Sequence, residues 1–416
     1  MQRENTALAS TADVKHQLQK STAWSTLASK SVLKTLGLLR RGRLTITLPD
    51  GSSGAITGKE TADGPHGIVD IHDMNVFKRL FRSGDIGLAE AYMANEFSTP
   101  DLTQVMHLAI VNETAFSEFI EGSFVARILR RFHHGRRSNT KIGSRKNIAH
   151  HYDLGNDFYQ TWLDEGMTYS SALFADPKAS LMDAQTAKYE ALCNDLSIKP
   201  GDSVLEIGCG WGAFAEHAAK HHGAYVTAVT IAQEQFDFAQ KRVQASGLND
   251  QVTIKFQDYR DIKGQFDRIA SVEMFEAVGE SHWPTFFQTI KDRLAPKGAA
   301  ALQVITIEED RFQSYRSNPD FIQRYVFPGG MLPSTQRFHN AAASVGLSSR
   351  VTRSFGPDYA ETLRHWQDTF DRAWDNIQEL GFDERFRRMW AYYFSYCEVG
   401  FETGRIDVEH FLLNRS

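Results

Sequence analysis

The chain has 416 residues, 42% of them hydrophobic, three cysteines and a formal net charge of −5. That length accommodates two domains and a large core. The acidic balance argues against nucleic acid as a partner of the whole chain, and no apolar run reaches about 18 residues, so no bilayer-spanning segment is expected. The N-terminus MQRENTALASTADVKHQ lacks the apolar core of a secretory signal. Cys193, Cys209 and Cys397 have no metal-ligand spacing, which points to a reducing cytoplasm without a disulfide framework. The histidine pairs 133–134, 150–151 and 221–222 have no carboxylate or cysteine partner at ligand spacing, so no metal is expected.

Residues 1–40 read as polar and then helical, ending in Val32–Leu39 and a basic Arg40-Arg-Gly-Arg43. Leu44–Leu48 alternates like a strand and stops at the turn Pro49–Ser52. Phe77–Phe81, Gly84–Phe97 and Asp101–Glu113 read as helices, which predicts a small α+β domain over residues 1–122. Between Gly122 and Tyr152 there is no acidic residue, while Arg127, Arg130, Arg131, Arg136, Arg137, Lys141, Arg145 and Lys146 are interleaved with Phe124, Ile128, Leu129 and Phe132. Residues 123–146 are thus a basic linker. A solvated face, a segment on anionic lipid headgroups and a nucleic-acid contact all stay open for it.

From about Lys188 a βαβ pattern repeats. It has strands at 203–207, 225–229, 252–256, 266–272 and 299–305, the mark of an α/β doubly wound sheet in a domain spanning 147–416. In such sheets ligands lie beyond the carboxyl ends of the strands. The loops Gly208–Gly212, Thr230–Gln235, Gln257–Tyr259 and Glu273–Gly279 therefore surround one pocket.

Val204-Leu-Glu-Ile-Gly-Cys-Gly-Trp-Gly212 is an apolar strand running into a glycine-rich turn, with a helical pattern after it. Its Glu-x-Gly-x-Gly-x-Gly spacing differs from the Gly-x-Gly-x-x-Gly of dinucleotide enzymes. It resembles the loop of class I (Rossmann-like) methyltransferases, which closes over the methionine part of S-adenosylmethionine. That likeness places Glu206, Gly208, Cys209, Gly210, Trp211 and Gly212 against this cofactor. After the second strand such enzymes usually carry an acidic residue for the ribose hydroxyls. This chain has Thr230 and Gln235, which can also hydrogen-bond a diol. Asp258 and Tyr259 suit the adenine, or else serve as a helix cap and a core aromatic.

The chain also resembles the cyclopropane-fatty-acyl-phospholipid synthases and mycolic acid cyclopropane synthases. The pieces that carry the likeness are His151-Tyr-Asp-Leu-Gly-Asn-Asp157, Met167-Thr-Tyr-Ser170, Glu206–Gly212, Gln257-Asp-Tyr-Arg-Asp261, Met274-Phe-Glu276, Tyr325-Val-Phe-Pro-Gly-Gly330, Phe355-Gly-Pro-Asp-Tyr359 and Tyr392-Tyr-Phe-Ser-Tyr-Cys397, with Gly84–Tyr92 of the longer synthases before them. The resemblance implies methyl transfer from S-adenosylmethionine to the cis double bond of an unsaturated phospholipid acyl chain, with a cyclopropane as the leading product. It also implies a bicarbonate as the base that takes the final proton, held by Ser171, Glu276, Gln303, Ile305 and Tyr359. Tyr169 and Ser170 fall at the cofactor, and Glu276, Tyr359 and Cys397 in catalytic positions. Cys397 sits on an aromatic-rich helix and is read as packing or as a catalytic thiol. The segments Phe312–Phe327 and Trp390–Tyr396 are expected to wall an acyl channel. A peripheral enzyme on the inner face of the membrane is implied, cytoplasmic, dimeric and without nucleic acid, with the N-terminal domain as its accessory lipid-surface module.

Two departures from the family pattern stand out. Tyr169-Ser170-Ser171 replaces the usual Tyr-Ser-Cys, and Gln303 replaces a histidine on the fifth strand. Both bear on deprotonation more than on methyl transfer, so an unclosed methyl-branched or methyl-alkene product is the alternative. A lipid-binding protein without turnover is the alternative of another class.

Overall fold

The computed structural model describes residues 27–120 and 154–415. The basic linker 123–146 and His151, Tyr152 and Asp153 lie outside the described residues. Two compact units form, one from the N-terminal part of the chain together with Asp383–Val399, the other from the remainder. The sequence places residues 383–399 in the C-terminal domain, whereas they pack with the N-terminal unit. The physical reason is a set of polar anchors. Arg388 donates to the carbonyls of Tyr92 and Phe97, and Thr103 donates to Glu398 at 3.0 Å.

In the N-terminal unit α1 (Leu27–Leu36) precedes β1 (Arg41–Thr47), β2 (Ser53–Thr57) and β3 (Thr61–Ile71). These strands and β4 (Phe97–Ser98) form a sheet in the order β2-β1-β3-β4. The predicted turn closes the β1–β2 hairpin, with the Asp50 carboxylate accepting from Ser52 N at 3.0 Å. The helices predicted at 77–81 and 84–97 are one element, α2 (Asn75–Met93), broken at Gly84. Phe97 lies not in this helix but in β4, because Asn95 takes φ +56° and ends the helical run. Asp101 caps α3 (Leu102–Val111), accepting from Gln104 N. Asn112 then separates α3 from α4 (Glu113–Ile120), where one helix through Glu113 is predicted. Its buried amide accepts from Arg40 N and Arg41 N and donates to Arg41 O and Leu108 O, which ties α3 to β1.

The larger unit carries α5 (Leu181–Leu196), β5 (Ser203–Ile207), α6 (Ala213–His222), β6 (Tyr225–Thr230), α7 (Gln233–Ala245), β7 (Val252–Phe256), β8 (Phe266–Val272), α8 (Trp283–Arg293) and β9 (Leu294–Ile307). After these come α9 (Glu309–Ser317), α10 (Thr335–Ser344), β10 (Leu347–Ser354), α11 (Gly356–Arg372) and β11 (Ile406–Arg415). The five predicted strands form the parallel part of a seven-stranded sheet ordered β10-β11-β9-β8-β5-β6-β7. β11 runs antiparallel to both neighbours, and neither it nor β10 is among the predicted strands. One cluster includes Leu192, Phe214 and Val226, and another includes Phe275, Phe286, Phe287 and Phe338. Burying each such aromatic contributes on the order of 1.5–3 kcal/mol. Strand order reverses between β5 and β8, so the ligand crevice opens beyond Ile207 and Val272.

Candidate active site

The glycine-rich turn after β5 is built by backbone need. Gly208, Gly210 and Gly212 all have positive φ, and a Cβ on Gly208 would meet the Met274 side chain at 2.7 Å. The cofactor loop and the Glu273–Gly279 loop therefore touch. Gly208 N and Cys209 N both donate to Val229 O, fixing the turn on β6. Trp211 donates to Asn156 at 2.7 Å, and Arg242 donates to Trp211 O and Gly166 O. Glu206 at the end of β5 is buried, and its Oε2 has no hydrogen-bond donor. Burial raises the Glu206 pKa well above the usual carboxylate range, and an unpartnered buried acceptor of this kind suits a donor or cation brought by a ligand.

A second carboxylate organises the other side. Glu273, the first residue after β8, takes φ +46°, which turns its side chain back toward β9. Its Oε1 accepts from Ser171 N at 2.8 Å and from Gln303 Nε2 at 2.7 Å, and its Oε2 from the Tyr359 hydroxyl at 2.7 Å. Burial raises the Glu273 pKa, while these three donors and Lys188 oppose the rise. Glu276 sits one turn further. Its Oε1 accepts from Ile305 N at 2.5 Å, and its Oε2 is buried without a partner. Burial first, and the negative Glu273 second, push its pKa up to about 8. Burial and the neighbouring carboxylate thus both favour a proton on Glu276.

Two further groups hold this pair in place. Lys188 on α5 is fully buried and donates to the Ser170 hydroxyl at 2.6 Å. Burial lowers its pKa to about 7, against the attraction of Glu273, Asp164 and Glu206. Behind Gln303 lies His410 on β11, also fully buried. A carboxylate only accepts, so Gln303 must turn its NH2 to Glu273 and its carbonyl to His410 Nε2, 3.0 Å away. His410 Nε2–H is then the donor that fixes the Gln303 amide, with Asp195 Oδ2 3.4 Å from Nδ1.

Comparison with known proteins gives the family. Residues 139–411 match the family described as mycolic acid cyclopropane synthetase. The chain belongs to this family. It is 39% identical over 374 residues to a tuberculostearic acid methyltransferase of Mycobacterium tuberculosis, covering 88% of this chain and 86% of that protein. It is 35% identical over 364 residues to the cyclopropane-fatty-acyl-phospholipid synthase of Escherichia coli K12, covering 87% and 90%. The solved cyclopropane synthase MmaA2 of Mycobacterium tuberculosis superposes with a TM-score of 0.60 at 28% identity, over 65% of this chain and 97% of that one. The related synthase CmaA1, solved with SAH, gives 0.60 at 29% identity, over the same shares. The protein is an S-adenosylmethionine-dependent methyltransferase of the class I fold that acts on lipid acyl chains.

Of the residues expected to hold an anion, Ser171, Gln303 and Tyr359 converge on Glu273, while Ile305 N donates to Glu276. Ser171 contributes its backbone N–H, while its hydroxyl donates to Ala172 O. With the donors of Ser171, Gln303 and Tyr359 engaged by a carboxylate and a second one alongside, a bicarbonate does not fit here. Tyr169 packs among Tyr159, Trp162, Phe327 and Trp366. The Thr230 hydroxyl donates to Gln235 Oε1, which leaves the Gln235 NH2 as the donor of that pair. Asp258 is a cap and a two-pronged partner of Arg260, so local structure alone accounts for it. Tyr259 rests edge-on against Phe286. Cys397 belongs to the other compact unit.

The sequence reading overlooked Glu273, Lys188 and His410. The spacing Glu273-x-x-Glu276 straight after a strand was a signal for the first. Lys188 lies on the face of Ala184 and Leu192, four residues either side, where a lone lysine inside an apolar stripe was a signal for the second.

Proposed function

We propose that this enzyme methylates the cis double bond of unsaturated phospholipid acyl chains and that Glu273 takes the proton released afterwards. The observation that carries the proposal is the Glu273 carboxylate, held by three donors beside the cofactor loop. When bound, S-adenosylmethionine supplies an electrophilic methyl group. An olefin attacks it without help from a base, and the cation left on the neighbouring carbon is stabilised by the negative Glu273. Loss of one proton from the new methyl group, with bonding of that carbon to the cationic carbon, closes a cyclopropane. Gln303, Ser171 and Tyr359 position the acceptor. With its proton retained, Glu276 is neutral and keeps the pair at a single negative charge. The basic stretch 123–146 supports peripheral docking, since each Lys or Arg near an anionic surface contributes about 1 kcal/mol.

A second product is favoured by one specific feature. The base is attached to the protein and held by three donors, so the proton nearest Glu273 decides the outcome. If it lies on the chain and not on the new methyl, a methyl-alkene results. The relatives include both a tuberculostearic acid methyltransferase and cyclopropane synthases. Expression in a host lacking its own synthase, with labelled methionine and mass spectrometry of the acyl chains, tests both. Gain of one CH2 with the unsaturation replaced by a ring supports the cyclopropane. The same gain with the double bond retained supports the second product. No gain in chains of an enzyme that binds the cofactor refutes an unsaturated acyl substrate.

A further inference from the structure

The last turns of α6 carry His217 and His222, and the facing α5 carries Glu190 and Cys193, three residues apart on one side of that helix. The sequence showed no metal-ligand spacing because these partners lie 27 and 32 residues apart along the chain. In the fold, Cys193 Sγ and one ring nitrogen from each histidine all lie within 4.8 Å of one another. Glu190 Oε2 is 3.2 Å from His217 Nε2 and 2.9 Å from His222 Nε2. Ligands about 2.0–2.1 Å from a tetrahedral zinc ion stand about 3.3 Å apart along each nitrogen–oxygen edge. Two edges of such a tetrahedron are thus already close to that spacing and set three of its corners, and the sulfur, grouped with the two histidines, offers the fourth from the core.

We propose that Glu190, Cys193, His217 and His222 form a structural Zn²⁺ site that clamps α5 to α6. Two contacts to Glu190 account for the histidines alone and leave the thiol beside them with a packing role only. The zinc site uses all four groups. One thiolate and one carboxylate neutralise the ion, and soft sulfur with imidazole selects zinc over magnesium or calcium. Cys193 is 1% exposed, His217 8% and His222 16%, so the ion sits shielded. Glu190, 46% exposed, closes the solvent side and leaves an entry path. Its other oxygen accepts from Asn194 at 3.1 Å, a support for the ligand's orientation. Four protein ligands leave no open position, so the site is structural and not catalytic. It tethers the far end of the helix whose N-terminus follows the cofactor loop.

The test uses the full chain purified without a metal-binding tag, loaded with zinc or cobalt(II) and dialysed. Elemental analysis is expected to find one zinc per chain, and the cobalt form to show tetrahedral absorption with a thiolate-to-cobalt charge-transfer band. Cys193→Ala should abolish that band, and His222→Gln should weaken zinc binding at least tenfold. Zinc should raise the thermal midpoint of the wild type. No retained zinc in the folded wild type would overturn the proposal. So would a cobalt spectrum without the thiolate band, which needs no variant to fold.

Discussion

Glu273→Gln separates a built-in base from every other explanation of the site. The substitution is nearly isosteric. The new carbonyl still accepts from Ser171 N and Gln303 Nε2, and the new NH2 faces the Tyr359 hydroxyl, which then accepts in place of donating. The fold and the cofactor loop should survive, while the only ionised acceptor of the acidic pair is lost. Positioned general bases contribute about 10²–10⁴ in rate, or about 3–5 kcal/mol of barrier. Formation of the methylated, deprotonated acyl product from labelled S-adenosylmethionine in unsaturated phospholipid vesicles should therefore fall by that factor, with cofactor affinity by calorimetry within about threefold. The wild-type rate should not change when bicarbonate is stripped from the buffer. A variant within about tenfold of wild type, or a wild type that stops without bicarbonate, would refute the assignment of Glu273.

Other outcomes follow from the same geometry. Glu276 binds its proton more tightly in the native state than in the unfolded chain, where its value is about 4.5. Native stability should therefore fall as pH rises through that value toward about 8, and urea unfolding at about pH 6 and 9 should show this decline in the wild type but less of it in Glu276→Gln. Gly208→Ala forces a Cβ to within 2.7 Å of Met274 at φ +83°, so cofactor affinity by calorimetry should drop at least tenfold. His410→Leu leaves the buried Gln303 carbonyl without its donor, at a cost of about 1–3 kcal/mol in chemical denaturation. Activity in that variant should fall further than stability predicts, because Gln303 loses the donor that anchors its amide against Glu273.

What the sequence determined by itself is whatever local chemistry dictates. The alternation and apolar runs of the five parallel strands, the glycine turn after β5, the hairpin turn at Pro49–Ser52 and the Asp101 cap each depend on neighbours within a few residues. The family motifs add the positions of Ser171, Gln303, Ile305 and Tyr359, but not what stands at their centre. Only the tertiary structure decided that Glu273 fills it, because a positive φ after β8 aims that side chain at donors from three distant segments. The same holds for His410, brought behind Gln303 by an antiparallel strand at the end of the chain. It holds for Cys193 and the histidines of α6, which meet only because two helices pack together. It holds also for residues 383–399, whose place in the N-terminal unit rests on Arg388 finding carbonyls near position 95. Local pattern is set by covalent neighbours, whereas these contacts exist only once burial has chosen which surfaces meet.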